Sequence, residues 1–323
     1  MKFSVRILLS FLLFTSFILV VGCTNEANQE QEKPIRIGLL QIDDSLPFFV
    51  AEEEGLFEKH NVQIQLIPFS AARDKDLALE AGELDGVLTD LIVTALIKKG
   101  GTDVRVVSLA LGATPEEGRF AILTAPNSDI ESLAELQDVP IAISNNTIIH
   151  YLAEKMFQNV DLDAKSIKTQ SIPDLKIRLE ALLEGKDVKL ALLPDPLASL
   201  AEQYGAKAII DDTKLNRNLS QSVIIFREDV LTSNREAVRN VLKAHQEGAQ
   251  LINNNPEKYN SLLIEKARIP ESLVETYPMP TFTPGSLPTE EMVEEVMTWM
   301  VEKDLLKEAF SYEDIVDEIL REN

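Results

Sequence analysis

From Ile35 onward, short apolar runs alternate with amphipathic stretches. "PIRIGLL" reads as a strand and "LPFFVAEEEGLF" as a short helix. In "NVQIQLIPF" the apolar Val62, Ile64 and Leu66 alternate with Gln63 and Gln65, the two-residue period of a strand. "RDKDLALEAG" has helical spacing and stops at Gly82, a residue suited to a helix C-cap. "LDGVLTD" is the next strand. It leads into the helix "LIVTALIKKGG", whose lysines and glycines mark a C-terminus. "VRVVSLAL" and "RFAILTA" are further strands. The order is βαβα, which predicts largely parallel sheet flanked by helices.

A second α/β series opens at "DIESLAELQDVPIAIS". It continues through the helix "IIHYLAEKMFQN", the strand "IKTQSI", the helix "PDLKIRLEALLEG" and the strand "VKLALLPD". "PLASLAEQYG" and "AKAII" complete it, and "QSVIIFRE" is a last strand before a helical tail. Two such series exceed what one simple sheet needs. "DLIVTALIKKG" (Asp90 to Gly100) and "DPLASLAEQYG" (Asp195 to Gly205) echo one another, each following a short strand and opening on aspartate. Aspartate is also an ordinary N-cap, so the echo alone is weak.

The N-terminus is different. Lys2 and Arg6 precede a continuous apolar run, Ile7 to Val21, which closes on "VVGC". This is the pattern of a signal peptide, too short for a good membrane span of about 20 residues. The ending resembles the bacterial lipobox, so a signal segment over 1–22 and a lipid on Cys23 are expected. Cys23 is the only cysteine, which leaves no intramolecular disulfide. The polar segment up to residue 33 reads as a tether. The net charge is −22, and removing Lys2 and Arg6 makes the mature chain more acidic still. Nucleic acid is a poor partner for such a surface.

Open α/β sheets bind ligands beyond the carboxyl ends of their strands. Four junctions there carry polar groups: Asp43-Asp44-Ser45, Thr89-Asp90, Ser144-Asn145-Asn146-Thr147 and Asp195. Phe48 or Phe49 offers an apolar wall beside the first. The candidate ligand-binding residues are therefore Asp43, Ser45, Phe48, Phe49, Thr89, Asp90, Asn145, Asn146, Thr147 and Asp195. Capping competes as an explanation for Asp44, Ser45, Asp90, Thr147 and Asp195, and core packing for the two phenylalanines. Three junctions carry aspartate and none a Lys or Arg; Arg119 is the nearest cation in sequence. An aspartate at a helix N-terminus satisfies the donors that would attract an anion. A neutral or cationic ligand, nitrogen heterocycles included, is expected over a simple oxyanion.

Catalysis has little support. His60, His150 and His245 are widely spaced, and no His, Cys and carboxylate set has zinc spacing. No phosphate-cradling Gly-rich loop is present. No catalytic residue, metal or cofactor is assigned.

The order of segments resembles a known family. Pro47, Ala51, Gly55, Leu56 and Phe57 match a Pro-x-x-x-Ala-x-x-x-Gly-Leu/Phe-Phe segment of type 2 solute-binding proteins of ABC importers. The branch binds nitrate, sulfonates, taurine and thiamine-pyrimidine precursors. "ALEAGELDGVLTD", "SLAELQDVPIAISNNTIIHYL" and "LLPDPLASLAEQYG" resemble later blocks, though Gln137 and Val139 stand near the usual Gly-Lys. The resemblance implies an α/β fold of two lobes joined by two crossover strands, each lobe a mostly parallel sheet. It places 34–125 and 220–323 in the first lobe and 126–219 in the second. It also implies a monomeric, lipid-anchored extracytoplasmic protein that passes a small molecule to ABC permease subunits. A membrane-tethered sensor on the same fold is the alternative. A pyrimidine-synthase-like enzyme is the other, but its cysteine-rich motif is missing here.

Overall fold

The computed structural model of the protein describes residues 33–136, 138–164 and 167–321. The expected signal segment, Cys23 and the tether up to residue 32 lie outside the described residues. Residues Pro34–Asn323 form one compact unit.

The chain opens with β1 (Ile35–Leu40), α1 (Leu46–Glu53), α2 (Leu56–Lys59), β2 (Ile64–Phe69), α3 (Ala72–Glu80), β3 (Gly86–Asp90), α4 (Leu91–Lys99) and β4 (Val104–Leu111). It then runs through β5 (Phe120–Thr124), β6 (Ile141–Ile143), α5 (Ile148–Asn159), β7 (Thr169–Ser171), α6 (Leu175–Glu184), β8 (Leu190–Pro194), α7 (Leu197–Gln203) and β9 (Lys207–Asp211). It ends with β10 (Ser222–Arg227), α8 (Glu228–Ser233), α9 (Arg235–Asn254), α10 (Asn260–Lys266), α11 (Glu290–Glu302) and α12 (Tyr312–Ile315).

Two five-stranded sheets result, ordered β2-β1-β3-β10-β4 and β7-β6-β8-β5-β9. Each is parallel except for one strand. β10 runs antiparallel between β3 and β4, and β5 runs antiparallel between β8 and β9. Those two strands are the first after each crossover, so each sheet receives one strand from the returning chain. Phe120–Thr124 therefore belongs to the second sheet. The boundary read after residue 125 falls too late, because the apolar pattern of "FAILT" says that it is buried but not beside which partners.

The crossovers are residues 112–119 and 215–221, and side chains lock them together. Asn218 Nδ2 donates to the carbonyls of Thr114 (3.1 Å) and Glu117 (2.8 Å). The buried Glu117 accepts from the backbone of Gly112 (3.0 Å) and Ala113 (2.9 Å), and from the Thr283 hydroxyl. Gly112 has φ 96°, and a Cβ there would lie 2.9 Å from both Asn218 Oδ1 and Gln221 Cα. The left-handed backbone and the close approach both require glycine. Asp212 enters the same region: its Oδ1 accepts from Phe120 N at 2.8 Å, while its buried Oδ2 has no partner. Burial pushes this carboxyl up to about 7.

The helices fit their apolar faces to the sheets. α9 carries Val238, Val241, Leu242 and Ala249 on one buried stripe at helical spacing. That stripe packs on α1, and His245 lies within it. His245 is buried, its ring is 4.6 Å from the Phe48 ring, and neither ring nitrogen has a hydrogen-bond partner. On the other side, Val293, Val296, Met297, Trp299 and Met300 of α11 join residues around α4 and α5 into one core cluster. Polar contacts follow the same seam. Trp299 Nε1 donates to Glu154 (2.8 Å), Lys155 pairs with Glu295 (2.9 Å), and Arg217 of the second crossover also reaches Glu295 (2.6 Å).

Candidate functional site

Both sheets present their strand ends to a common region, and the antiparallel strands add to it. Because β10 runs against its neighbours, its first residue, Ser222, comes into register with Asp90, the last of β3. Arg119 precedes β5 and reaches Asp195 beyond β8 for the same reason: Asp195 N donates to the Arg119 carbonyl at 2.9 Å. The sequence pattern alone does not bring these pairs together.

Asp43 and Asp44 follow β1 in a single 3-10 turn. They keep some solvent contact but lie deep among protein atoms. Burial pushes Asp43 up to about 7, with the Asp44 and Asp195 charges adding to the shift and a Tyr277 hydrogen bond opposing it. The Tyr277 hydroxyl donates to Asp43 Oδ2 at 2.9 Å. Asp44 is raised too, first by burial, against the opposing influence of Ser222 and Lys75. The Ser222 hydroxyl faces Asp44 without reaching hydrogen-bond geometry.

Asp90 caps α4, accepting from Val93 N at 2.9 Å, while Thr94 Oγ1 donates to its carbonyl at 2.7 Å. Burial still pushes Asp90 up to about 6, with Asp76 raising it and Lys75 lowering it. Thr89, one residue earlier, is half-buried and pairs with Val223.

Lys75 is the cation that sequence reasoning missed. Its side chain is fully buried, and Nζ donates to Asp76 at 2.7 Å. Its stem passes over Gly38, where a Cβ would meet Lys75 Cγ at 3.0 Å and Leu84 Cδ1 at 2.6 Å. A signal existed. Lys75, Ala78 and Leu79 share one face of α3, so the lysine sits on the apolar side of an amphipathic helix.

Asp195 Oδ1 accepts from Ser199 N (2.9 Å) and Oγ (2.8 Å), at the start of α7. Burial raises its pKa while Arg119 and Ser199 oppose the rise. The Arg119 guanidinium lies 3.4 Å from Asp195, 2.9 Å from Glu202 and 3.1 Å from Asp211. Burial works against its charge, but these carboxylates outweigh burial and hold it protonated. Arg119 is thus committed to three acids.

The remaining predicted residues divide. Thr147 caps α5, accepting from Ile149 N at 3.2 Å and donating to the Ser144 carbonyl at 2.8 Å. Asn145 and Asn146 are exposed at the end of β6, and no hydrogen bond joins them to the first-sheet carboxylates. Beneath that loop the buried Arg178 donates to the Ile172 and Leu192 carbonyls (both 2.9 Å) and to Ser144 Oγ (2.5 Å). Ser45 is buried, and its hydroxyl has no partner, so it caps nothing. Phe48 and Phe49 do not form an apolar wall to the cleft. Both are buried in the core with Ile35, Ile37 and Leu39, where α1 turns its apolar face inward.

The arrangement is rich in acceptors. Asp43, Asp44, Asp90 and Asp195 converge on the strand ends, while Lys75 and Arg119 are already paired and Arg178 is spent on carbonyls and Ser144. Among the described residues, no group of three or more His, Cys, Asp or Glu could hold a metal ion. No helix of the described residues is long and apolar enough to cross a membrane.

Two mixed sheets flanked by helices and joined by two crossovers define the two-lobe periplasmic binding protein fold, type 2. The chain belongs to the NMT1-like family, whose profile matches residues 28–263. It resembles the solved ligand-binding component of an ABC-type import system from Staphylococcus aureus with zinc bound: 16% identity, TM-score 0.71, covering 90% of this chain and 99% of that one. The periplasmic aliphatic sulphonate binding protein SsuA from Escherichia coli is similar at 22% identity and TM-score 0.72, covering 88% and 92%. The desulfurization enzyme DSZB shares the fold at 13% identity and TM-score 0.60, covering 88% and 97%. No curated protein matches the chain.

Proposed function

We propose that this chain is the extracytoplasmic solute-binding component of an ABC importer. It captures a small neutral or cationic polar molecule between two lobes and delivers it to a membrane permease. The lobes are the β1–β4 sheet with β10 and the C-terminal helices, and the β5–β9 sheet. Cys23 carries the lipid that holds the protein at the outer face of the membrane. Family membership and the fold shared with import components support the role.

The observation that carries the ligand class is the convergence of Asp43, Asp44, Asp90 and Asp195 beside cations that are already paired. A carboxylate facing a ligand N–H makes a charge-assisted hydrogen bond, about twice as strong as a neutral one. A simple oxyanion would meet these acceptors without a free cation to offset them. The sulphonate ligand of the E. coli relative is therefore not carried over.

A melting screen tests this. A ligand at a hundredfold its Kd stabilises a protein by about 2.7 kcal/mol. Amines, pyrimidines and other nitrogen heterocycles should raise the Tm, and nitrate and alkylsulfonates should not. Asp195→Asn and Asp90→Asn should weaken the hits. Tight binding of nitrate or alkylsulfonates, undiminished in both variants, would overturn the ligand class.

A further inference from the structure

The segment between α10 and α11, residues 267–289, carries the one hydrogen bond described to the Asp43 side chain from outside its own turn. It is held at several points. Gln203 Nε2 of α7 donates to the Ser272 carbonyl at 3.0 Å, from the second sheet's side. Asn253 of α9 brackets Phe282, donating to its carbonyl at 2.6 Å and accepting from its N–H at 3.0 Å. The Thr283 hydroxyl reaches Glu117 of the first crossover, and Leu109 N of β4 donates to the Ser286 carbonyl at 2.8 Å. Leu273 and Phe282 are buried on either side of Tyr277, and Tyr277 packs half-buried in the same cluster as Leu46 and Val50 of the first lobe. Leu200 of α7 lies against that cluster. A tyrosine fixed this way does not swing freely. Its hydroxyl is aimed at Asp43 by the backbone on both sides.

We propose that Tyr277 is a positioning residue for Asp43: its hydroxyl occupies Oδ2, leaves Oδ1, which otherwise takes a 3.2 Å bond from Asp44 N on its own turn, as the oxygen that meets a ligand, and holds the carboxyl in its acceptor form. This deepens the reading of the cleft as a binding site and rests on it. The chemistry depends on what faces Asp43. Asp44 on its own turn and Asp195 beyond β8 disfavour its charge, and Lys75 and Ser222 act on that pair through Asp44. Tyr277 is the side chain that favours the charge by hydrogen bonding, ahead of a smaller backbone contribution from its own turn. Ionised, Asp43 accepts from a ligand N–H; protonated, it can donate to a ligand oxygen. Burial and the neighbouring acids, opposed by the Tyr277 hydrogen bond, place its titration at about 7, so loss of that one bond shifts which form is present near neutral pH. Tyr277 thereby selects for ligands that donate.

The test uses the mature chain and Tyr277→Phe, which keeps the ring. With carbon-13 at the aspartate carboxyl, the Asp43 resonance is identified by its loss in Asp43→Asn and titrated without ligand. Tyr277→Phe should raise the midpoint by about one unit, and Asp195→Asn should lower it. An unmoved midpoint in a folded Tyr277→Phe protein overturns the proposal. Methylguanidinium binding, measured by calorimetry from pH 6 to 9, gives the second arm. The variant should bind about fivefold more weakly than the wild type at pH 7 and recover by pH 9, as the ionised fraction shifts. A loss independent of pH would mean that Tyr277 only packs, and would also overturn the proposal. No heat from either protein, with the midpoint shift present, would count against a cation site while leaving the hold of Tyr277 on Asp43 established. If Tyr277→Phe does not fold, Tyr277→Trp and Asp195→Asn carry the same titration.

Discussion

Acidification should reveal an energetic cost at His245. The ring is buried against Phe48 with both nitrogens unpartnered, and burial lowers its pKa to about 3 from 6.5. Below pH 6.5 the unfolded chain takes up a proton at this residue, and the folded chain does not until about pH 3. Stability from this group is therefore complete above 6.5 and is lost as the pH falls. At pH 5 the loss is about 2 kcal/mol relative to pH 7.5. The whole-protein curve will not show this alone. Asp43 and Asp212, pushed up to about 7, and Asp90, to about 6, bind protons in the folded state and stabilise it as the pH falls through those values. The comparison that isolates His245 is with His245→Leu, which has similar volume and does not titrate. Urea melts at pH 7.5, 6 and 5, followed by the fluorescence of Trp299, the only tryptophan, give the difference. The leucine variant should gain about 2 kcal/mol on the wild type between pH 7.5 and 5, a relative Tm gain of about 3 °C at this size. Curves that stay parallel to within about 0.5 kcal/mol would refute the reasoning, because an unperturbed imidazole contributes no such term.

Three further outcomes follow from the charges and the N-terminus. Lys75→Met keeps the stem over Gly38 but removes the cation beside Asp44 and Asp90, so urea stability should drop more at pH 8 than at pH 5; equal losses would mean that Lys75 only fills space. Arg119→Gln leaves Asp195, Glu202 and Asp211 without their cation and should cost about 3 kcal/mol, as breaking a largely buried pair does, with a loss under about 1 kcal/mol counting against it. Cys23→Ala should move the protein from the detergent phase to the aqueous phase, and an aqueous wild type would end the anchor proposal.

The sequence shows the elements more clearly than their partners. The period-two stretch at Val62–Leu66 and the apolar run at Ile35–Leu40 become paired parallel strands because both patterns are local. Asp90, Thr147 and Asp195 stand at the strand ends where they were expected, since strand–Asp–helix and Thr caps are local signals too. Phe48 was ambiguous for the opposite reason. Whether an aromatic at a helix start faces cleft or core depends on what packs against it, here α9, nearly 200 residues later. Strand β5 carries no mark of its sheet, because the continuous apolar run that buries it fits either one. Lys75 could have been found from its helix face. Tyr277 could not: "ETYPMPTFTPG" has no period, and the residue acquires its role only through Asn253, Gln203 and the chain reversals around it.

The central place of β10 in the first sheet has a consequence for the order of assembly. Without it, β4 has no partner in that sheet and β3 keeps only its short pairing with β1. The first sheet therefore cannot close until residue 227 is available, after the entire second sheet has been made. The second sheet, β5–β9, is contiguous in the chain and can form while the earlier strands wait. Its contacts are more local, and loop closure over shorter separations is faster. The half of the molecule synthesised second should thus become ordered first, with β1–β4 remaining exposed longest. Pulsed hydrogen exchange during refolding would show it: amides of Ile122 and Leu192 should gain protection before those of Val87 and Ile224, and the reverse order would contradict the inference. If the chain is exported as proposed, a first sheet that waits for its middle strand is a built-in delay before folding.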